Sequence, residues 1–188
     1  MKLFKMGLAS ILAAGALYAG TYNVDQSHSH VGFKIKHMMI SNVKGNFNNF
    51  NGSFVYDEKT KKIQQLNGTV VVDSINTDNT KRDNHLKSAD FFDSTKYPNI
   101  TFNVDKIEGE KAYGKLTLKG VTKDVVFEIE VNGAITDPWG NKRVALELEG
   151  DINRKDYGLI WNKALEAGGV VVGEKVEIEV ELEGILSK

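Results

Sequence analysis

The sequence predicts an all-β domain, and two observations carry this prediction. Apolar and polar residues alternate with a period of two in many short stretches, as they do in half-buried β-strands. Turn signals rich in glycine and asparagine separate these stretches at short intervals, which suits antiparallel strands joined by hairpins. We therefore expect one core, formed by the apolar face that the strands share.

The clearest strand is predicted over residues 175–184, where every second residue is apolar and glutamates lie between. The same alternation returns in Val31/Phe33/Ile35, Ile100/Phe102/Val104, Leu116/Leu118, Val125/Phe127/Ile129/Val131 and Val144/Leu146/Leu148. These stretches indicate about eight strands, which form either a sandwich or a closed barrel. The charged outer faces of long strands favour the barrel, because closure removes exposed sheet edges.

Two stretches interrupt the alternation. Between Thr80 and Ser88, Thr80 is followed three residues later by Asp83, and this capping pattern predicts one short helix. Residues 162–167 are expected to form a helical turn before two glycines. No linker, repeat or change of composition divides residues 20–188, so we expect a single domain.

Composition narrows the classes of function. The chain has 188 residues, of which 41% are hydrophobic and 26% charged, and its net charge is −1. A chain so close to neutral carries no overall field that would attract nucleic acid or an anionic membrane. It contains no cysteine, so disulfides, thiolate nucleophiles and cysteine metal sites are excluded.

Residues 1–19 are predicted to be a secretory signal peptide. Two lysines precede an apolar run from Met6 to Leu17, which ends in small residues at Ala16 and Ala19. Cleavage after Ala16 or after Ala19 fits, and Ala19 is favoured because the patterned region begins at Thr21. The alternative is an uncleaved anchor, although the run is shorter than the roughly 20 residues that cross a bilayer. We expect an exported protein that does not stay inserted in a membrane.

A first polar cluster precedes the strand that leads to His37. His28 and His30 are two residues apart, so an extended backbone would direct both to one face, and Asp25 would complete a zinc or copper site. The alternative is hydrogen bonding at a strand entrance, with Asp25 satisfying free backbone groups. His37 is in phase with the apolar residues of its strand, so it is either a core histidine or a group directed at a ligand.

A second cluster lies between Lys81 and Asp93 and mixes charged with aromatic residues. Arg82 and Asp83 are either an ordinary solvated ion pair or part of a mouth that presents cations to a head group. The apolar residues beside them would cover one end of a barrel: Leu86, Phe91 and Phe92. The segment is therefore a candidate lid or mouth.

Binding a hydrocarbon chain requires bulky apolar walls, and the inward-facing sets supply them. The candidate wall residues are Phe33, Ile35, Met39, Phe50, Phe102, Leu116, Leu118 and Phe127. Trp161 belongs either to the wall of the binding site or to the packed core. A barrel with a packed interior has the same pattern, so a purely structural β-domain stays an alternative.

A metal-dependent hydrolase is the competing class of function. It would use scattered residues, namely His28, His30, His37, His85, Asp25 and Asp83. The sequence contains no Gly-x-Ser-x-Gly elbow, His-Glu-x-x-His motif or phosphate-binding loop. We therefore expect a binding protein without catalytic residues, metal or cofactor.

Five segments together resemble the YceI-like family of exported lipid- and polyisoprenoid-binding proteins. They cover nearly all of the mature chain in order: Asp25-x-x-His28-Ser29-x-Val31-x-Phe33 with His37, Arg82-Asp83-x-His85-Leu86-x-Ser88-x-Asp90-Phe91-Phe92-Asp93, Pro98-x-Ile100-x-Phe102, Gly114-x-Leu116-x-Leu118-x-Gly120-x-Thr122-x-x-Val125, and Asn153-Arg154-x-Asp156-Tyr157-Gly158.

The resemblance implies an extended, lipocalin-like antiparallel barrel of eight strands, with an apolar tunnel for an isoprenoid or another amphiphile. It also implies a periplasmic location, a possible homodimer and no catalytic activity. We place His37, Arg82 and His85 at the polar end of the ligand, because each lies beside an apolar run. One departure concerns Arg143, which stands near a hairpin where many members have an aromatic residue.

Overall fold

The computed structural model describes residues 19–166 and 168–188, and the predicted signal peptide therefore lies almost entirely outside the described residues. The described chain contains one α-helix, α1 (Thr80–Lys87), and eleven strands. The strands are β1 (Ala19–Val24), β2 (His30–His37), β3 (Ser41–Phe47), β4 (Phe50–Asp57), β5 (Lys62–Val71), β6 (Ile75–Asn76), β7 (Asn99–Glu108), β8 (Lys111–Leu118), β9 (Val121–Thr136), β10 (Lys142–Asn153) and β11 (Val172–Leu186).

Eight strands close into an antiparallel barrel in the order β1-β4-β5-β7-β8-β9-β10-β11, with β11 pairing back to β1. The all-β prediction and the choice of barrel over sandwich are thereby confirmed. The long strand β11 has two partners on one side, because its C-terminal end pairs with β1 and its earlier part pairs with β2. Strands β3 and β6 extend the sheet beyond β2.

The alternation of the sequence becomes an inner and an outer face of this barrel. Leu146 on β10 lies opposite Leu182 on β11, and the next inward pair is Leu148 opposite Val180. Between these pairs, Glu147 faces a glutamate on the outer surface. Burial of the inner residues and solvation of the carboxylates both require this register, because a slip by one residue would exchange the two faces.

One end of the barrel interior is filled by aromatic side chains. The rings of Tyr22 and Phe54 stack with centroids 5.6 Å apart, and Tyr56 meets Tyr22 edge-on at 6.0 Å. The ring of Phe54 lies over Gly184, where a Cβ would come within 2.5 Å of a ring atom. Only glycine therefore allows this close packing.

The predicted helix is present, although its N-cap differs from the expected one. The side chain of Asn79 accepts a hydrogen bond from the backbone N–H of Arg82 at 3.0 Å, as an N-cap residue does. The carboxylate of Asp83, which the sequence placed in a capping box with Thr80, accepts hydrogen bonds from Thr77 instead. Local spacing identified the helix but did not identify its true cap.

The helical turn expected over residues 162–167 is absent from the part of that stretch that the structure describes. Ala164 instead forms an antiparallel bridge with Val170, and the backbone N–H of Gly168 bonds to the carbonyl of Leu165. Short 3-10 helices occur elsewhere, at Gln26–His28, Val72–Ser74 and Arg154–Tyr157. Two consecutive glycines with positive φ favour a tight reversal over a helical turn here.

Candidate functional site

The other end of the barrel encloses a cavity of about 630 Å³. This volume lies within the range of about 300–1,000 Å³ that is typical of small-molecule sites. The cavity is lined by residues of β2, β4, β5 and β7 to β11, and also by α1 and the segment around Trp161. The barrel is thus neither hollow throughout nor packed throughout.

All but one of the predicted wall residues line this cavity. They are Phe33, Ile35, Phe50, Leu86, Phe91, Phe92, Phe102, Leu116, Leu118, Phe127 and Trp161. Phe102 and Phe127 contact one another with ring centroids 5.1 Å apart and form part of the wall. The geometry is compatible with an apolar guest, and contact of these residues with a ligand stays a prediction.

Met39 is the exception, and its placement in the wall is corrected. It lies in the turn between β2 and β3, its side chain is 56% exposed, and it is absent from the cavity lining. Strand β2 ends at His37, after which Met38 and Met39 have positive φ. The chain reverses there, so the two-residue period no longer determines which face a side chain occupies.

Part of the wall was not identified from the sequence as cavity-lining. Strand β11 and the second half of β10 contribute apolar residues to it: Leu148, Ile152, Val176, Ile178, Val180 and Leu182. The alternation over residues 175–184 did predict that one face of β11 is apolar. It did not reveal that this face meets an empty volume instead of other side chains.

The residues predicted at the polar end all line the same cavity. His37 is half-buried at the end of β2, and Arg82 and His85 lie on α1. The ring of His85 meets the rings of Phe91 and Trp161 edge-on, each at 5.0 Å. Tertiary contacts thus bring cations and aromatics of the second cluster together at the cavity, and their contact with a head group stays a prediction.

Arg82 and Asp83 are not paired with each other in the described structure. Arg82 donates from Nε to the hydroxyl of Thr77 at 2.7 Å and from Nη2 to the carbonyl of Thr77 at 2.6 Å. Asp83 accepts from the backbone N–H of Thr77 at 3.0 Å and from its hydroxyl at 2.5 Å. Thr77, which is buried, therefore orients both charged side chains.

Arg154 also lines the cavity, and it was not predicted as a site residue. It is 3% exposed, and its guanidinium donates to the backbone carbonyls of Gly173, Leu159 and Val172. Burial lowers the pKa of Arg154 and outweighs the opposing effect of Glu174. The family motif contained this residue, but no pattern in the sequence indicates that it reaches the cavity.

At the candidate metal cluster, the side chains bond to one another and to an arginine. The ligand atoms of Asp25, His28 and Glu183 lie within 4.8 Å of one another. However, Arg143 donates from Nη1 to Asp25 at 2.9 Å and to Glu183 at 2.5 Å. The guanidinium thus takes the position that a cation would need, and His30 is not a member of this cluster. The geometry favours hydrogen bonding at a strand entrance.

The same network explains the departure at Arg143. Its Nε donates to Asp137 at 2.8 Å, so one guanidinium joins three carboxylates near the filled end of the barrel. Hydrogen bonds from Ser27 and His28, together with Arg143, hold the pKa of Asp25 well below its usual range. The pKa of Asp137 is likewise lowered, chiefly by Arg143. Arg143 therefore links strands and does not line the cavity.

The fold and this cavity together define a class: a closed antiparallel β-barrel with an internal apolar site for a small molecule. A family model described as the YceI-like domain matches residues 22–184. The chain belongs to the YceI-like family, as the five sequence segments indicated. None of the helices in the described chain is long and apolar enough to cross a membrane.

Relatives support the assignment over nearly the full domain. The UPF0312 protein SA2479 of Staphylococcus aureus is 39% identical over 168 residues, which cover 89% of this chain and 98% of that protein. The crystal structure of the Campylobacter jejuni YCEI protein is similar with a TM-score of 0.71 and 34% identity, covering 87% of this chain and 96% of that one.

A more distant structure shares the fold. A polyisoprenoid-binding domain from Saccharophagus degradans, implicated in plant cell wall breakdown, matches with a TM-score of 0.67 and 16% identity. The match covers 88% of this chain and 98% of that domain. At this level of identity the similarity concerns the architecture of the barrel.

Proposed function

We propose that the protein is a periplasmic carrier that sequesters an amphiphilic lipid in the barrel cavity. The candidate lipids are a polyisoprenoid, an isoprenoid quinone or a fatty-acid derivative. The observation that carries the proposal is the cavity of about 630 Å³ inside a closed barrel, with apolar walls and polar groups at one end. The shared architecture with a polyisoprenoid-binding domain supports this choice of ligand class.

The energetics of burial agree with this role. Transfer of one isoprene unit from water to an apolar cavity is worth on the order of 3 kcal/mol before costs, at about 0.8 kcal/mol per buried methylene. Association costs several kcal/mol in lost freedom. A chain of a few units therefore binds usefully without any specific polar contact, and the polar end sets orientation and selectivity.

The proposal assigns roles to two groups of residues. The hydrocarbon chain lies against the apolar walls, including Phe102, Leu118 and Phe127. Its head group lies near His37, Arg82 and His85, at the rim where α1 meets the segment around Trp161. A binding role requires no catalytic residue or cofactor. The export signal would deliver the protein to the periplasm, where it acts alone or as a homodimer.

The decisive experiment is extraction of protein purified from its native host, followed by mass spectrometry of the extract. We expect a stoichiometric amphiphile from the wild-type protein. Native mass spectra of the same sample report the number of subunits and distinguish cleavage after Ala16 from cleavage after Ala19.

Gly68 offers a variant that fills the cavity. It lines the cavity on β5, its backbone carries no positive φ, and the nearest atom to an added Cβ is a carbonyl oxygen at 3.8 Å. We expect Gly68→Leu to fold and to retain far less lipid than wild type. The matched control is Gly133→Leu, since Gly133 is exposed on β9 and an added Cβ there meets nothing within 4 Å.

Two results would contradict the carrier proposal. One is a wild-type extract that contains no amphiphile together with failure of the purified protein to take up any chain in vitro. The other is retention of the same amount of lipid by Gly68→Leu and by wild type, because the ligand would then lie outside the cavity.

A further inference from the structure

The charge lining the cavity has one sign. Its ionisable side chains are Lys36, His37, Lys81, Arg82, His85 and Arg154, and among the described residues that line it there is no aspartate or glutamate. In the whole chain, by contrast, the charges are nearly balanced, with 25 acidic residues and 24 lysines and arginines. The two lysines are exposed at the rim, so the argument rests on the two arginines.

The charge of Arg154 is incompletely compensated. Its three hydrogen-bond acceptors are the backbone carbonyls of Gly173 at 2.6 Å, Val172 at 3.3 Å and Leu159, all of which are neutral. Glu174 acts on it electrostatically, but that carboxylate forms its own ion pair with Lys155. A buried cation held only by carbonyls leaves a positive field in the adjacent low-dielectric cavity.

Arg82 is oriented by neutral groups and retains an unused donor. Nε and Nη2 bond to Thr77, and within the described chain Nη1 has no partner and no carboxylate pairs with the guanidinium. The neighbouring carboxylate of Asp83 is engaged by Thr77. The guanidinium is therefore held in place while its charge and one nitrogen stay available.

Both arginines belong to the same end of the cavity. Arg154 bonds to the carbonyl of Val172, and Val172 lies opposite His37 in the sheet. Arg154 also bonds to the carbonyl of Leu159, which lies two residues before Trp161. The ring of Trp161 contacts His85, and His85 lies on the same helix as Arg82. Asp90 accepts a hydrogen bond from His85 at 3.1 Å, but it is exposed and outside the lining.

We propose that the cavity selects amphiphiles with an anionic head group, either a carboxylate or a phosphate monoester. Arg82 donates a charge-assisted hydrogen bond to this anion. The positive charge of the buried Arg154 attracts the same anion electrostatically. This inference rests on the proposed function and narrows it, because it separates ionised fatty acids and isoprenyl phosphates from neutral quinones, alcohols and amides.

The test compares head groups on identical chains. Delipidated protein is titrated calorimetrically at neutral pH with oleate and oleyl alcohol, and with geranylgeranyl phosphate and geranylgeraniol. We expect the anion of each pair to bind at least about tenfold more tightly, which corresponds to about 1.4 kcal/mol. A preference confined to one pair identifies the head group as carboxylate or as phosphate.

Two variants assign the preference to the site. Arg82→Gln removes the charge and should weaken binding of the anion by about tenfold, and binding of the neutral partner by much less. The matched control is Lys44→Gln, which makes the same change of charge at an exposed residue of β3 outside the lining. It should leave both affinities as in wild type, so a general charge effect is excluded.

The outcomes separate this inference from the carrier proposal. If neutral and anionic partners bind equally, or the neutral ones bind better, the anion preference is wrong while the carrier role stands. If Arg82→Gln and Lys44→Gln have the same effect, the assignment to Arg82 is wrong. If no chain of either kind binds, the carrier proposal itself fails.

Discussion

Leu118 couples the cavity to the stability of the fold. It is 5% exposed at the end of β8, belongs to the buried core and also lines the cavity. A side chain in this position contributes both to the ligand wall and to barrel packing, so a polar substitution should affect binding and folding together.

We expect Leu118→Asp to abolish binding of a hydrocarbon chain and to lower the free energy of unfolding by about 3 kcal/mol or more, because packing is lost and an unpaired carboxylate is buried. Urea denaturation and lipid titration measure the two effects. Leu118→Met conserves volume and should cost less than about 1.5 kcal/mol. Unchanged lipid uptake by the aspartate variant would place Leu118 outside the binding site.

At the scale of the element, the outer faces of β9, β10 and β11 bring carboxylates together. Glu149 on β10 lies directly opposite Glu128 on β9 and Glu179 on β11. Directly opposed like charges destabilise a strand pair. Lys34 reduces the repulsion at one edge, where its Nζ lies 3.5 Å from Glu179.

The substitution Glu149→Lys should therefore stabilise the barrel. It replaces two repulsive cross-strand pairs by attractive ones, each worth about 0.2–1 kcal/mol. Thermal and urea unfolding at low ionic strength measure the gain, and added salt should reduce it because the charges are exposed. Glu149→Gln is the matched control with a smaller expected gain. Equal stability of all three proteins would show that these pairs contribute nothing measurable.

The helix α1 shows what local sequence can and cannot predict at this scale. Its residue types and spacing predicted the element correctly. The cap at Asn79 and the contacts of Asp83 with Thr77 depend on the path of the backbone just before the helix. The reversal at Met38 and Met39 escaped prediction for the same reason, because β-turn geometry depends on the chain that follows as well as on the strand before it.

At the scale of the whole molecule, the network around Arg143 joins segments that are far apart in the chain. It connects Asp25, Asp137 and Glu183 near the filled end of the barrel. The pKa values of Asp25 and Asp137 lie below the ordinary value of 3.8 in the folded protein. As pH falls, the unfolded chain therefore binds protons before the folded one does.

We expect the stabilisation by these carboxylates to be complete above about pH 4 and to be lost as pH falls from there through their folded pKa values. Urea denaturation between pH 7 and pH 2 measures it. Arg143→Gln should lower stability at pH 7 and make the dependence below pH 4 shallower. Lys142→Gln, which removes an exposed ion pair with Glu58, serves as the control. Identical pH profiles for wild type and Arg143→Gln would contradict the role of the network.

The sequence by itself determined the class of fold, the inner face of most strands and the family. A period of two places Phe33, Ile35, Leu116 and Leu118 on one face whatever the partner strand is, because it follows from the geometry of a single strand. The glycine and asparagine turns then favour neighbouring antiparallel pairs. Motif order over nearly the whole chain was enough to indicate the YceI-like family.

Only the tertiary structure decided where the interior is filled and where it is empty. The aromatic side chains of Tyr22, Phe54 and Tyr56 pack one end, while similar residues such as Phe33 and Phe102 border a cavity at the other. Arg154 and Arg143 likewise differ only in which distant groups they meet. Cavities and charge compensation depend on packing between segments far apart in the chain, and no local pattern encodes these contacts.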